Sequence, residues 1–269
     1  MKKYISILFV LLFSLLLCSN IDTDGDGYSD SDELKFGSDP NDKKDGIYQG
    51  GWPYNSLKDE MKSTELPISC PGDIGCECMV NDDCSNKNCT NVVRSERYCF
   101  PKIGDPFPRL ITLDQFGEEV DLYDFANQDK LILIEMGAAW CKPCQQLAAW
   151  FSYDDDSITK LRFWKEEYNL IKEKVRSGEI IFITILYENA LHENASFDTI
   201  RDWYEKYPDD MIPLFADDYK DLHYWMKPNG LPCINLLNEN MELLTYTGRG
   251  FTQAFDFAVS ALKVNKSKE

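Results

Sequence analysis

The chain has 269 residues, 43% of them hydrophobic and 28% charged, and its Lys+Arg 28 against Asp+Glu 46 gives a formal net charge of −18. Domains of about 100–200 residues make this length suit roughly two of them, and the composition excludes both wholesale disorder and a polytopic membrane protein. So acidic a surface repels a phosphate backbone, which excludes nucleic acid as a partner.

Residues 1–18 read as an export signal. Met1-Lys2-Lys3 is a basic start, and Tyr4 to Leu17 is an apolar run broken only by Ser6 and Ser14. A membrane-spanning helix needs about 20 apolar residues, so this run is too short to span comfortably. Leu15-Leu16-Leu17-Cys18 resembles a bacterial lipoprotein lipobox. The resemblance implies lipidation of Cys18, a membrane anchor, and a periplasmic or cell-surface location; an incidental cysteine of the apolar run, or an uncleaved anchor, is the competing reading.

Next comes an acidic spacer, residues 19–46. Asp22 to Glu33 fills the 12-residue EF-hand loop template. Carboxylates of Asp22, Asp24, Asp26, Asp30 and Glu33 and the carbonyl of Tyr28 occupy ligand positions, and Gly27 stands at the sharp turn. Calcium is a hard cation that takes oxygen ligands, so a structural Ca2+ is expected here; a solvated acidic linker is the alternative. The loop with its continuation Leu34 to Asp42 resembles thrombospondin type 3 repeats, which implies a calcium-braced stalk. No long amphipathic helices flank the loop, which speaks against a sensor.

Residues 47–69, with Gly50-Gly51, Pro53 and Asn55, read as a linker. A module over 70–102 then carries Cys70, Cys76, Cys78, Cys84, Cys89 and Cys99 among turn formers, too few apolar residues for a core. Three disulfides are expected, in any of 15 connectivities, and they belong to an oxidising, exported compartment. Zinc is the rival reading, but the spacings are not paired CxxC and both histidines lie far off in sequence.

From 103 to 269 extended and helical runs alternate, as in an α/β domain. Arg109–Leu113 and Glu119–Leu122 predict a hairpin, and Lys130–Met136 a buried strand. Cys141-Lys142-Pro143-Cys144 follows, opening a helical stretch through Phe151. Ile158, Leu161, Trp164, Tyr168, Ile171 and Val175 recur at helical spacing and predict one helix ended by Gly178, followed by a strand over Glu179–Tyr187. Cys233–Leu237 and Met241–Thr247 predict an antiparallel pair, and Thr252–Val264 a closing helix.

Strand, CxxC, helix is a redox signature. A cysteine at a helix N-terminus faces unpaired N–H groups and the positive dipole end, which favour its thiolate. Cys141 is therefore the expected nucleophile and Cys144 the resolving thiol. Pro143 suits the first helical turn; Lys142 is either a further thiolate stabiliser or a solvated side chain. With Trp140 before the first cysteine, the opening Gly104 to Pro108 and Asn229-Gly230-Leu231-Pro232 near the end, the chain from about Ile103 to Val264 resembles the thioredoxin superfamily, in particular exported TlpA-like thiol-disulfide oxidoreductases.

That resemblance implies a thioredoxin-like α/β fold, a central mixed sheet flanked by helices. It implies protein thiols or disulfides as substrates and a redox partner, of the membrane or protein, that the sequence does not name. Glu135, six positions before Cys141, falls where the family carries a buried acid that moves protons for the inner cysteine, a carboxyl that reaches solvent or a lysine being the alternative. Pro232 falls at the family's cis-proline, so Trp140, Leu231 and Pro232 are expected to meet substrate. Leu231 is bulkier than the family's usual residue, and Cys233, after the proline, is either a buried apolar residue or a third thiol. His192 and His223 are expected at the surface or satisfied. Catalysis by a cysteine pair requires no cofactor. Two rivals remain: a binding or adhesion module whose CxxC is an idle disulfide, and a peroxide-reducing enzyme, for which Ala139-Trp140-Cys141 lacks the usual setting.

Overall fold

Residues 21–93 and 96–266 are described by a computed structural model, and the contacts divide the chain between Ser56 and Leu57 into two units. The signal reading of residues 1–18, with lipidation at Cys18, lies outside the described residues. Among the described residues no helix is long and apolar enough to cross a membrane.

In the first unit, aspartates organise the backbone. The Asp22 carboxylate accepts from the amides of Gly25 (2.7 Å) and Gly27 (3.2 Å), and Asp26 accepts from Tyr28 (2.8 Å). Helix α1 (Asp30–Phe36) starts at Ser29, whose hydroxyl caps the Asp32 amide. Its end is set by Gly37 at φ 90°, a left-handed position that glycine occupies without a Cβ penalty.

The second unit runs from Leu57, and after a 3-10 turn at Lys58–Glu60 it carries the cysteine-rich segment. Strands β1 (Cys89–Val93) and β2 (Glu96–Cys99) pair antiparallel with Cys89 opposite Cys99. Disulfides join Cys70 to Cys76, Cys78 to Cys89 and Cys84 to Cys99. The buried cluster here consists of Cys78, Cys84, Cys89 and Cys99, so sulfur takes the place of an apolar core. A hairpin of β3 (Ile111–Leu113) and β4 (Glu119–Asp121) follows.

The main sheet is built from β5 (Leu131–Gly137), β6 (Ile180–Leu186), β7 (Leu214–Ala216) and β8 (Cys233–Leu237), in the order β7-β6-β5-β8. β5, β6 and β7 run parallel, and β8 is antiparallel to β5. Helices α2 (Lys142–Tyr153), α3 (Asn169–Arg176), α4 (Phe197–Lys206), α5 (Asp221–Met226) and α6 (Thr252–Lys266) complete the unit. β5 is buried on both faces and, apart from Glu135, apolar. Pairing partners share a face, so Leu133 and Glu135 lie with Phe182, Thr184, Ile234 and Leu236. On that face α2, α3 and α6 contribute Leu147, Phe151, Ile171, Val175 and Phe255 to one core.

The cysteine-rich segment is held against α5 and the strand-like tail. Phe100 meets Tyr246 edge to face at 5.2 Å, and the Lys227 ammonium sits 4.5 Å from the Tyr98 ring centroid. Gly75, at φ 92°, lies so close to α5 that a Cβ would come 2.4 Å from the Tyr224 carbonyl oxygen; only glycine fits.

Two elements differ from the sequence expectation. The stretch from Ile158 to Val175 is not one helix. It forms 3-10 turns at Ile158–Lys160 and Glu166–Tyr168 before α3 begins. The apolar side chains still reach the core, with Trp164 packed on Trp150 (5.0 Å), Tyr168 (5.5 Å) and Phe251 (5.8 Å). The second difference is Met241–Thr247, which touches β8 through the bridge Leu237–Leu243 instead of a ladder. Side chains replace the missing bonds: Thr245 Oγ1 accepts from the Leu236 amide (3.0 Å) and Asn235 Oδ1 from the Thr247 amide (2.6 Å).

Candidate functional site

β5 delivers its chain to the end of the sheet at Gly137, and a short turn leads to Cys141, the N-cap of α2. Cys141 and Cys144 form a disulfide, with their Cα atoms 5.3 Å apart. The Cys144 amide, one of the helix's otherwise orphaned donors, points at the Cys141 sulfur at 3.3 Å. Pro143 lies in the first turn, where its missing N–H costs nothing. On reduction these donors and the helix dipole stabilise a thiolate at Cys141. Cys141 is 2% exposed and Cys144 fully buried, while Trp140 beside them is 37% exposed. The Leu231–Pro232 peptide is cis and precedes β8, whose first residue pairs with Met136, so it stands at the same sheet end as the disulfide.

Glu135 sits in the buried interior of β5. Burial pushes its carboxyl up to about 8, against a hydrogen bond from Thr184 Oγ1 (3.0 Å) that pulls it down. Its other oxygen, Oε1, has no hydrogen-bond partner among the described residues. A Cβ at Gly137 would lie 3.5 Å from that oxygen and 3.6 Å from the Cys144 sulfur, so the glycine leaves a gap that both groups face. A crevice of about 20 Å³, enough for one water, touches Glu135, Ser152 and Thr184. The reading of Glu135 as a carboxyl reaching solvent or a lysine does not match this burial.

Cys233 pairs with Met136 and therefore lies on the sheet face opposite Glu135. Its thiol donates to the Thr247 carbonyl at 3.0 Å, and burial pushes it up to about 12. It is a buried, inert side chain.

Glu188 and Lys220 beside Trp140 carry no motif in the sequence, and His192, expected at the surface or satisfied, is exposed. Glu188 follows β6, which ends in register with Gly137; its carboxylate accepts from Trp140 Nε1 (2.7 Å) and Lys220 Nζ (2.7 Å). His192 lies against Trp140 with ring centroids 4.7 Å apart and the ring planes tilted by 34°. The one signal was positional, since residues just past parallel strands gather at one sheet edge. His223, by contrast, is largely buried against Tyr187 at 4.2 Å, and burial lowers it to about 4; its Nδ1 is unpartnered among the described residues.

In the acidic loop, one oxygen from each of Asp22, Asp24 and Asp26 falls within 4.8 Å of the others. Asp24 Oδ2 and both carboxylate oxygens of Glu33 are buried without partners among the described residues. Burying carboxylates this way is costly without a countercharge, so the oxygen set fits a hard cation. Tyr28 keeps its loop position after Gly27. Asp30 differs: both its oxygens accept from Thr23, from the amide at 2.8 Å and the hydroxyl at 2.7 Å.

A parallel β7-β6-β5 sheet closed by antiparallel β8, with a CxxC at the start of the helix after β5 and a cis-proline before β8, is a thioredoxin-like fold. Residues 22–43 match the bacterial TSP3 repeat. Among solved structures the chain is similar to a thioredoxin-like protein from Bacteroides caccae, at 14% identity and TM-score 0.43 over 60% of this chain and 50% of that one. The chain thus spans half the length of that protein. It is also similar to the thioredoxin domain of a thiol-disulfide oxidoreductase from Bacteroides vulgatus, at 19% identity and TM-score 0.39 over 59% of this chain and 99% of that one. A third is the exposed lipoprotein thioredoxin of Streptococcus pneumoniae, at 16% identity and TM-score 0.40, covering 57% and 98%. Comparison with curated proteins gave no match.

Proposed function

We propose that the chain is a TlpA-like thiol-disulfide oxidoreductase acting on protein cysteines. The observation that carries this reading is the Cys141–Cys144 pair at the N-cap of α2, above the buried carboxyl of Glu135. In the reductive direction the Cys141 thiolate attacks one sulfur of a substrate disulfide, and the other sulfur leaves as a thiolate. Cys144 then loses its proton toward Glu135 and attacks Cys141, breaking the mixed disulfide. The substrate departs as a dithiol, and two electrons have passed to it from the enzyme, which is left with the Cys141–Cys144 disulfide. An external dithiol donor restores the pair; the opposite direction reverses each step. Trp140, Leu231 and Pro232 are the residues assigned to substrate contact. A Cys144→Ser chain should trap one mixed disulfide per molecule at Cys141 when offered oxidised protein, read by mass spectrometry. No trapped species would leave the binding-module reading standing.

The acidic unit supports a second, independent assignment. Asp22, Asp24, Asp26 and Glu33, with the Tyr28 carbonyl, would hold a structural Ca2+, and Asp30 would reach it from its place on Thr23. Calorimetric titration of the chelator-treated chain with calcium should show a Kd of roughly 0.1–1 mM, as for extracellular modules. Glu33→Gln should weaken it about tenfold or more, since a bidentate carboxylate is lost. Heat unchanged by calcium would remove the assignment.

An exported chain fits three disulfides in one small segment. The organisation proposed is a signal at 1–18 with Cys18 lipidated on the periplasmic or cell-surface side, a calcium-braced spacer at 19–46, a linker at 47–69, a disulfide-rich module at 70–102 and the redox domain at 103–269.

A further inference from the structure

The three disulfides of the cysteine-rich segment differ in what an incoming reagent meets. Cys78 and Cys89 are buried, as are Cys84 and Cys99, so both halves of those two bonds are shielded from a thiolate. The third bond is uneven. Cys76 is 1% exposed, whereas Cys70 stands in an exposed run with Ser69 and Pro71. Exchange begins with attack of a thiolate on a sulfur it can reach, so access singles out the Cys70 side of this bond. Its loop is also the shortest, with a sequence separation of 6 against 11 and 15. Its closure therefore constrains the unfolded chain least, and its loss costs the fold least in chain entropy.

The residues between the two cysteines are tied independently of the bond. The Gly75 amide donates to the Cys99 carbonyl (2.8 Å), the Cys99 amide to the Cys76 carbonyl (2.8 Å) and the Ser85 amide to the Gly72 carbonyl (2.9 Å). Opening is therefore local, and what it releases is the end of the segment that leads into Cys70. That end carries Ile68, whose Cδ1 lies 3.0 Å from the place a Cβ of Gly75 would take, beside the backbone of Tyr224 and Trp225 in α5. Residues 227–231 lead directly from α5 to Pro232, at the sheet end that holds Cys141. Ile68, Gly75 and α5 thus connect the bond to the loop assigned to substrate contact.

We propose that Cys70–Cys76 is a second thiol-disulfide exchange site, open to an external thiol such as glutathione while its two neighbours stay closed, and that its opening loosens the seat of α5. A glutathione thiolate attacks the Cys70 sulfur; the bond to Cys76 breaks, and Cys76 leaves with the electron pair and takes up a proton. A second glutathione thiolate attacks the glutathione sulfur of the mixed disulfide and frees Cys70, which is protonated in turn. Two electrons pass to the chain, which gains two thiols, and oxidised glutathione is the product. The site stands apart from the thiol-disulfide reading above, since neither Cys141 nor Cys144 enters these steps.

The test incubates the full folded chain in graded glutathione redox buffers, then alkylates it and maps every cysteine by mass spectrometry. Cys70 and Cys76 should take label together, at least about tenfold faster than Cys78, Cys84, Cys89 and Cys99, because the rate follows access. A chain carrying both Cys141→Ser and Cys144→Ser should give the same result, so failure of this site and failure of the redox reading are told apart. Hydrogen exchange of the α5 amides should quicken when the pair is reduced and slow again on reoxidation. Cys70→Ser breaks the bond without a reductant and should show the same faster exchange; where that variant does not fold, the reduced wild type carries the measurement. Label that reaches Cys70 and Cys76 only when all six cysteines react would make the bond purely structural and overturn the proposal. Exchange in α5 that ignores the state of the bond would overturn its link to the substrate loop.

Discussion

Cys141→Ser should lower turnover of protein disulfides by about 10³-fold or more, because a serine hydroxyl at neutral pH is neither ionised nor a sulfur nucleophile. Cys144→Ser should be equally dead in turnover yet still react once, leaving substrate attached at Cys141. The two variants therefore separate attack from resolution. The measurement is steady-state reduction of a protein disulfide by the full chain with a dithiol donor, alongside the mass of any adduct.

The other cysteines sharpen this test. Cys233 is buried on the far face of the sheet with its thiol pushed up to about 12, so it does not compete. Cys78, Cys84, Cys89 and Cys99 are buried in their disulfides, but Cys70 is exposed. Adducts must accordingly be mapped by peptide, and label at Cys141 in the Cys144→Ser chain is the expected result. Turnover that survives Cys141→Ser would move the chemistry to another thiol and end the present assignment. Truncation to the redox domain is a poor control, since Phe100, Tyr98 and Gly75 pack against Tyr246, Lys227 and α5.

What the sequence made legible followed from local rules. A seven-residue apolar run, a cysteine pair at helix spacing and a closing amphipathic helix each specify their own geometry, and the strand, N-cap and helix appear within a residue or so of expectation. The stretch from Ile158 to Val175 was misread because periodicity reports which side chains face the core, not whether the backbone between them is continuous. Trp150 and Phe251, which lie outside the stretch, pack on Trp164 and set that path. Met241–Thr247 failed as a strand for a related reason: Asn235 and Thr245 supply side-chain bonds that a propensity argument does not see. Glu188 and the contact of His192 with Trp140 were invisible because their meaning lies in adjacency of β6 to β5, which no motif marks.

Glu135→Gln should change two curves in opposite senses. In the wild type the unfolded carboxyl ionises near the ordinary glutamate value of about 4.5, whereas burial in the fold holds it up to about 8. Between those values the folded state carries a proton that the unfolded state has lost, so stability falls as pH rises, by up to about 1.4 kcal/mol per pH unit. Below the window both states are protonated and the penalty is absent; above it the penalty is constant. The glutamine variant has no such proton, and its stability against denaturant should gain on the wild type from about pH 5 to 8, by a few kcal/mol in all. Its chemistry should suffer in return. Only the ionised carboxylate can take the proton from Cys144, so wild-type resolution should quicken with pH and level off above about 8. Without the base, resolution near neutral pH should slow about 100-fold and follow the thiol's own ionisation. Stopped-flow decay of the mixed disulfide and urea titrations across pH measure the two effects on the same samples. Parallel stability curves would mean that Glu135 is not held protonated by the fold, and an unaltered rate profile would mean that the proton of Cys144 leaves by another route.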